Sequence, residues 1–416
     1  MRIAIAAHGY GQAGGVDRYL STVIPALVDA GHEVACWFET ADCAPADALS
    51  SEHGVPWWTA ASDSARALAA VRQWRPDVVF TQGVASPDRE RELLDVAPSV
   101  CFAHSYYGTC ISGSKLHRTP TERCCTREFG PGCLLQYFPR RCGGWSPLTM
   151  MRQYELQHSR LDLLHRYDRI AVASRHMAEE YSRHHLDDKV RVVSLPIDSP
   201  SFQTGRSGDD ITRLLYLGRL EETKGAHVAI ESAALVAART GRAISLQMSG
   251  EGSQRESLKE RAASLMMRQP DLKVAFTGWL SDAGCVASLD DAHLLLVPSC
   301  WPEPFGMVGV EAALRGVPAV AFAVGGIPEW LTDGVNGKLV SADPPDAVRF
   351  ADAIVACLAD GPGFERMRER SRDLARRFSV DAHVTKLDAL LREAVRSVRL
   401  AEARNERRRK PDRQIA

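Results

Sequence analysis

Residues 299–334 read SCWPEPFGMVGVEAALRGVPAVAFAVGGIPEWLTDG, and their order of prolines, glycines and carboxylates decides what kind of fold surrounds them. The short run 292–297 just before them is apolar apart from His293, the pattern of a strand buried on both faces of a parallel sheet. Pro298, Pro302 and Pro304 then stop regular structure and force a loop. A helix is expected from near Gly306. Its first backbone N–H groups and the positive end of its dipole would face the carboxyl end of that strand, a place suited to phosphate. Glu303 and Glu311 stand eight positions apart across this junction. From inside the helix Glu311 can accept two ribose hydroxyls, and Glu303 on the loop can reach a sugar beyond the phosphates. A pair of solvated glutamates at a helix start is the plain alternative. Another strand is expected over 318–324, and Gly325-Gly326 after it let backbone approach a ligand closely.

EPFGMVGVEA at 303–312, RGVPAV at 315–320 and GGIPEW at 325–330 together resemble the signature of the large retaining glycosyltransferase family often labelled family 4 or group 1. The resemblance implies an α/β protein of the GT-B class, two Rossmann-like domains whose parallel sheets face a central cleft. It also implies a nucleotide-diphosphate sugar as donor, retention of anomeric configuration, and chemistry without a divalent metal. On the matching positions it assigns catalysis to Glu303, His104, Arg219 and Lys224. Donor contacts fall on Gly14, Gly15, Arg219, Lys224, Gly278, Trp279, Phe305, Gly306, Met307, Val308 and Glu311. The acceptor is left open between a glycan, a lipid-linked glycan and a small metabolite, with polysaccharide biosynthesis as the expected setting.

A chain of 416 residues is too long for one core, so two domains are expected. Apolar content of 45% and charged content of 25% are ordinary for a globular protein, and a net charge of -1 offers no general attraction for nucleic acid or acidic membranes. No apolar run approaches the length of a bilayer span. A cytoplasmic enzyme is the expectation. The arginine-rich tail over 392–413 is the one segment able to touch the inner face of a membrane, and its acidic residues favour a solvated helix instead.

Along the chain, strands are expected at 2–7, 33–39, 77–81, 99–103, 170–173 and 190–195, with helices around 65–73, 147–166 and 177–184. Gly9, Gly11 and Gly14 match G-x-G-x-x-G after the first strand, with Glu33 and Glu39 near the place of a ribose-binding carboxylate, so a nicotinamide-linked oxidoreductase is a second reading. A non-catalytic nucleotide-sugar-binding partner is a third. His104 closes the strand at 99–103, at the sheet edge where ligands bind; the resemblance places it against the donor sugar or the acceptor, and a structural histidine is the alternative. The expected division is an N-terminal acceptor-side domain over 1–195, a linker over 196–210, and a donor-binding domain over 211–379. The segment 380–416 is expected to return to the first domain. In GRLEETKG, Arg219 and Lys224 precede a helix at the edge of the second sheet. A planar guanidinium and a point-charge ammonium there suit a diphosphate.

Six of the eleven cysteines fall between Cys101 and Cys142, in a segment of about 105–145 with no apolar period. A structural zinc on Cys110, Cys124, Cys133 and Cys142 is one expectation, with Cys125 or His117 as substitutes; disulfides and free thiols stay open, since no C-x-x-C pair is present. The segment is expected to overhang the acceptor side of the cleft and shape acceptor choice.

Overall fold

The computed structural model describes residues 1–11, 14–41, 46–197 and 210–409. The first half alternates strand and helix: β1 (Arg2–Ala7), α1 (Gly15–Asp29), β2 (Glu33–Phe38), α2 (Ala46–His53), β3 (Trp57–Thr59), α3 (Ser64–Trp74), β4 (Val78–Thr81), α4 (Pro87–Leu94) and β5 (Ser99–Ala103). An insert follows, with the two-stranded hairpin β6 (Leu116–His117) and β7 (Arg123–Cys124) and the short helix α5 (Gly132–Gln136). The half continues through α6 (Pro147–Arg166), β8 (Arg169–Val172), α7 (Arg175–Ser182) and β9 (Val190–Val192). Its seven strands are all parallel, in the order β3-β2-β1-β4-β5-β8-β9.

The second half repeats the plan with β10 (Thr212–Leu217), α8 (Ala226–Thr240), β11 (Ile244–Ser249), α9 (Arg255–Arg268), β12 (Leu272–Gly278), α10 (Asp282–Asp291) and β13 (Leu294–Val297). Then come α11 (Met307–Leu314), β14 (Ala319–Phe322), β15 (Gly337–Val340), α12 (Ala347–Leu358), α13 (Gly361–Ala375) and α14 (Val380–Arg409). Its six strands run parallel in the order β12-β11-β10-β13-β14-β15. The central strands are apolar on both sides because helices cover both faces, and Ile3, Ile5, Val78, Phe80, Leu294, Leu295 and Val320 are fully buried. Both sheets reverse their winding beside their first strand, between β1 and β4 and between β10 and β13. At such a reversal the outgoing loops diverge and open a crevice at the carboxyl ends of the strands, which is where ligands bind in open α/β sheets.

The last helix crosses between the halves. α14 packs on α1, β4, β5 and β8, and buries Leu387, Leu390, Leu391 and Ala394. Polar contacts fix its register: Tyr19 Oη to His383 Nε2 at 3.0 Å, and Glu393 Oε1 to both Arg169 and Arg191 at 2.9 Å. Ile197 N–H donates to the Phe378 carbonyl at 2.8 Å, tying the outgoing and returning chains together. The expected linker at 196–210 lies outside the described residues except at its ends, as does the tail beyond residue 409. None of the described helices is long and apolar enough to cross a membrane.

Candidate functional site

The two winding reversals place four loops around one cleft: 8–11 with 14–15 after β1, Gln82 after β4, 218–225 after β10, and 298–306 after β13. A cavity of about 550 Å³ between the halves is lined by Gly15 and His104 from the first and by Arg219, Lys224, Trp279, Glu303, Phe305, Gly306, Met307, Val308 and Glu311 from the second. Gly14 lines an adjoining cavity of about 830 Å³ on the first half, and His104 lines both. Gly278 stands behind Trp279 and is not part of the lining.

Lys224 and Glu303 are not independent. Lys224 Nζ lies 2.6 Å from Glu303 Oε1, and Ser299 Oγ donates to the same oxygen at 2.6 Å. Glu303 is 6% exposed. Burial alone would raise its pKa, but the Lys224 charge and these hydrogen bonds overcome it and hold the carboxyl below its usual range. Lys224 also sits 5.0 Å from the centroid of the Trp301 ring. Glu311 is paired across the cleft: Arg18 Nη1 on α1 reaches its Oε1 at 2.7 Å. Burial nonetheless keeps the pKa of Glu311 raised, against the Arg18 charge. Nothing in the sequence singles out Arg18, and its partner appears only in the fold.

Gly306 caps α11 in the left-handed region, φ 84°, and no side chain caps the helix. Among the described residues the N–H groups of Met307 and Val308 donate to no backbone carbonyl, which leaves them aimed at the crevice as orphan donors. The glycine pair after β14 acts differently from the expectation of close ligand approach. A Cβ on Gly325 would lie 2.2 Å from the Glu303 carbonyl oxygen, and one on Gly326 2.4 Å from that of Pro304. These glycines let β14 support the Glu303 loop, and Gly326 N–H donates to Glu303 O at 2.6 Å.

His104 Nε2 lies 2.8 Å from Gln82 Oε1, and its ring stacks on Phe102 at 4.8 Å and meets Tyr19 edge-on at 5.2 Å. Burial, then the neighbouring His383, lowers its pKa to about 3, so the imidazole is neutral and can orient a hydroxyl but not donate a positive charge. Burial lowers His383 to about 4. In the unfolded chain both rings take protons near pH 6.5, while the folded rings stay neutral. Acidification below that point therefore favours unfolding, by about 1.4 kcal/mol per pH unit for each ring down to its folded pKa. Urea midpoints at pH 7.5 and 5.5 test this: the midpoint should fall at the lower pH, and His383→Asn should flatten the dependence.

Gly11 and Gly14 of the glycine fingerprint after β1 both lie beside the carboxylate of Asp17. Asp17 Oδ1 accepts the Gly11 N–H at 3.2 Å, so a carboxylate already occupies the anion position at the start of α1. Glu39 is equally committed, to His8 at 2.7 Å and to the backbone N–H groups of Ala85 and Ser86 at 2.7 and 3.0 Å. Neither group is placed for a dinucleotide.

The cysteine segment folds around Ile111, Phe129 and Tyr137 and is tied to α7 by a buried ion pair, Lys115 Nζ to Glu180 Oε2 at 2.7 Å. Cys110, Cys124, Cys125, Cys133 and Cys142 are all thiols without a disulfide. The zinc set Cys110, Cys124, Cys133 and Cys142 is not assembled. Among the described residues no three His, Cys, Asp or Glu side chains stand together to hold a metal. Neighbouring residues on an extended chain point to opposite faces, and here Cys125, not Cys124, faces Cys110 and Cys133, while Cys124 turns toward Glu180. Burial, then the adjacent thiols, pushes Cys142 up to about 12.

Two family profiles match the chain: Glycosyltransferase Family 4 over residues 13–199 and Glycosyl transferases group 1 over residues 201–374. The chain is similar to the glycogen synthase of Mycobacterium tuberculosis, 28% identical over 309 residues, covering 73% of this chain and 66% of the relative. It is 31% identical over 231 residues to the D-inositol 3-phosphate glycosyltransferase of Corynebacterium efficiens, covering 51% and 53%. It thus spans between half and two thirds of the length of these relatives. Among solved structures, Anabaena HepE in complex with UDP superimposes with a TM-score of 0.66 at 18% identity, over 94% of this chain and 99% of that one. The sucrose-phosphate synthase of Thermosynechococcus elongatus gives 0.65 at 20% identity, over 95% and 99%. At such identities the likeness is one of fold, and the fold is GT-B.

Proposed function

The chain belongs to the group 1, family 4 glycosyltransferases, and from that premise we propose that it moves a sugar from a nucleotide-diphosphate donor to an acceptor hydroxyl with retention at the anomeric carbon. One observation supports this reading above the rest: a single cavity gathers Arg219, Lys224, two glutamates and the open start of α11 from one half, and His104 and Gly15 from the other. The donor would lie against residues 211–379 and the acceptor against residues 1–195, in the adjoining cavity that holds Gly14.

In the proposed reaction the bond from the anomeric carbon to the diphosphate breaks, and a bond to the acceptor oxygen forms on the same face. Negative charge grows on the departing diphosphate. Arg219, Lys224 and the N–H groups of Met307 and Val308 are the groups that would stabilise it, with no metal required for the chemistry. Both cavity glutamates already carry a cation, Lys224 on Glu303 and Arg18 on Glu311. Glu303 is therefore assigned to orienting sugar hydroxyls, not to nucleophilic attack. The acceptor proton would pass to the leaving phosphate oxygen, which gains basicity as the bond breaks. His104, neutral, would orient the acceptor or the sugar.

Glu311 would hold the ribose once Arg18 yields. Glu311→Ala is expected to raise the donor KM about 10- to 100-fold with kcat largely kept, the cost of losing hydrogen bonds to a charged acceptor. An unchanged KM would remove Glu311 from the nucleotide site. Anabaena HepE has been crystallised with UDP-glucose, so uridine diphosphate sugars are the first donors to test here. A thermal-shift screen of nucleotide sugars, followed by NMR assignment of the product anomer, tests the whole reading. No stabilisation by any nucleotide sugar, or an inverted product, would defeat it.

A further inference from the structure

A second cavity, about 690 Å³, lies between the cysteine-bearing insert and the carboxyl ends of β14 and β15. Its insert wall carries His117 and Arg123, cross-strand partners in the β6-β7 hairpin, together with Arg127 and Arg140. The opposite wall is the turn beginning at Ala323 and Val324, and Asp343. Among the described residues none of Arg123, Arg127 and Arg140 forms an ion pair with a carboxylate, whereas Arg18, Arg169, Arg191 and Arg315 all do. Three guanidinium groups against the single carboxylate of Asp343 leave an excess of two positive charges around one cavity. Their field is felt by the imidazole between them. His117 is 7% exposed and its Nδ1 has no hydrogen-bond partner among the described residues; burial, then Arg140, Arg123 and Arg127, lowers its pKa.

We propose that this cavity binds a phosphomonoester. A phosphomonoester carries close to two negative charges at neutral pH and three oxygens that accept charge-assisted hydrogen bonds, which matches both the excess charge and the fork geometry of guanidinium groups that have no carboxylate partner, although Arg140 also donates to Gln136 Oε1 and the Thr119 carbonyl. The cavity is also joined to the transfer site. Val324 immediately precedes the glycine pair that supports the Glu303 loop, and Glu122 of the insert lies against the Cys300 thiol, three residues before Glu303. The insert and the turn after β14 that bound this cavity thus both touch the loop 299–305 of the transfer site. On the glycosyl-transfer reading, on which this further step rests, the bound phosphate is the charged end of the acceptor, and the insert selects phosphorylated acceptors over neutral ones.

The test is a set of binding titrations at low salt with full-length protein, using glycerol 3-phosphate, glycerol and UDP as probes. Glycerol 3-phosphate is expected to bind and glycerol not. Arg123→Ala and Arg127→Ala, both at exposed positions, should each weaken glycerol 3-phosphate about tenfold and leave UDP unchanged. Asp343→Asn should tighten it, a gain that misfolding cannot mimic. Lys224→Ala should weaken UDP and leave glycerol 3-phosphate unchanged. Equal binding of glycerol, indifference to the two arginine variants, or loss of glycerol 3-phosphate binding in Lys224→Ala would each overturn the assignment. Should wild-type protein bind glycerol 3-phosphate through these arginines but no nucleotide, the transferase reading fails while the anion site stands.

Discussion

Lys224→Ala is expected to lower kcat by about 10²- to 10³-fold, the loss seen when one preorganised group facing a developing negative charge is removed. The same change strips Glu303 of its only ion-pair partner among the described residues, so a folding defect must be separated from a catalytic one. A buried carboxylate without a partner is costly, and Glu303 would answer by taking up a proton, so its pKa should move from below the usual range to above it. Proton uptake by Glu303 would then offset part of the loss from the two buried histidines, so stability in Lys224→Ala should fall less steeply than in the wild type as pH drops toward 5. Lys224→Ala combined with Glu303→Gln should restore the melting temperature but not turnover. Wild-type turnover in Lys224→Ala would remove this lysine from the chemistry, and recovery of turnover in the double variant would show that its role is structural.

Lys115→Ala is expected to destabilise the protein by about 3–5 kcal/mol, the range for breaking one side of a buried ion pair. Lys115 and Glu180 have side chains only 1% and 2% exposed, and Lys115 also donates to the Arg127 carbonyl at 2.7 Å. Loss of the ammonium leaves Glu180 with Arg183 alone, at the protein surface. The insert has a small core of its own, so release from α7 should show locally first: limited proteolysis should cut within 105–145 before either sheet opens. Replacing both partners with apolar residues, Lys115→Met with Glu180→Leu, should recover most of the loss. A Lys115→Ala protein as stable as wild type would mean that the insert is held by something else.

Strands of both sheets were legible because central strands of a parallel sheet are largely apolar runs. The readings 2–7 and 99–103 coincide with β1 and β5, and 292–297 contains β13. What escaped notice lies where that signal fades. β3, three residues of partly exposed edge strand, buries too little to impose a pattern, and α4, with the sequence PDRERELL, looks like a solvated loop until its Ser86 cap and the burial of Leu93 are seen. The site was legible residue by residue but not pair by pair. Arg219, Lys224, Glu303 and Glu311 were expected around one ligand, and they do line one cavity. The sequence could not reveal that Lys224 neutralises Glu303, or that Arg18 occupies Glu311, because those partners are 79 and 293 positions apart. Gly325 and Gly326 announced a close approach without saying to what, and the answer is the protein's own Glu303 loop.

The placement of α14 has a consequence for how the molecule is made. Its buried leucines complete the packing of a sheet whose strands were synthesised first. A ribosome that has released residues 1–197 has therefore delivered strands with part of their apolar covering still unmade. Native assembly of the first half must wait for the final thirty or so residues before the described end. A nascent chain stalled near residue 379 should bind chaperones through the uncovered sheet. Supplying residues 380–409 as a separate peptide should release it.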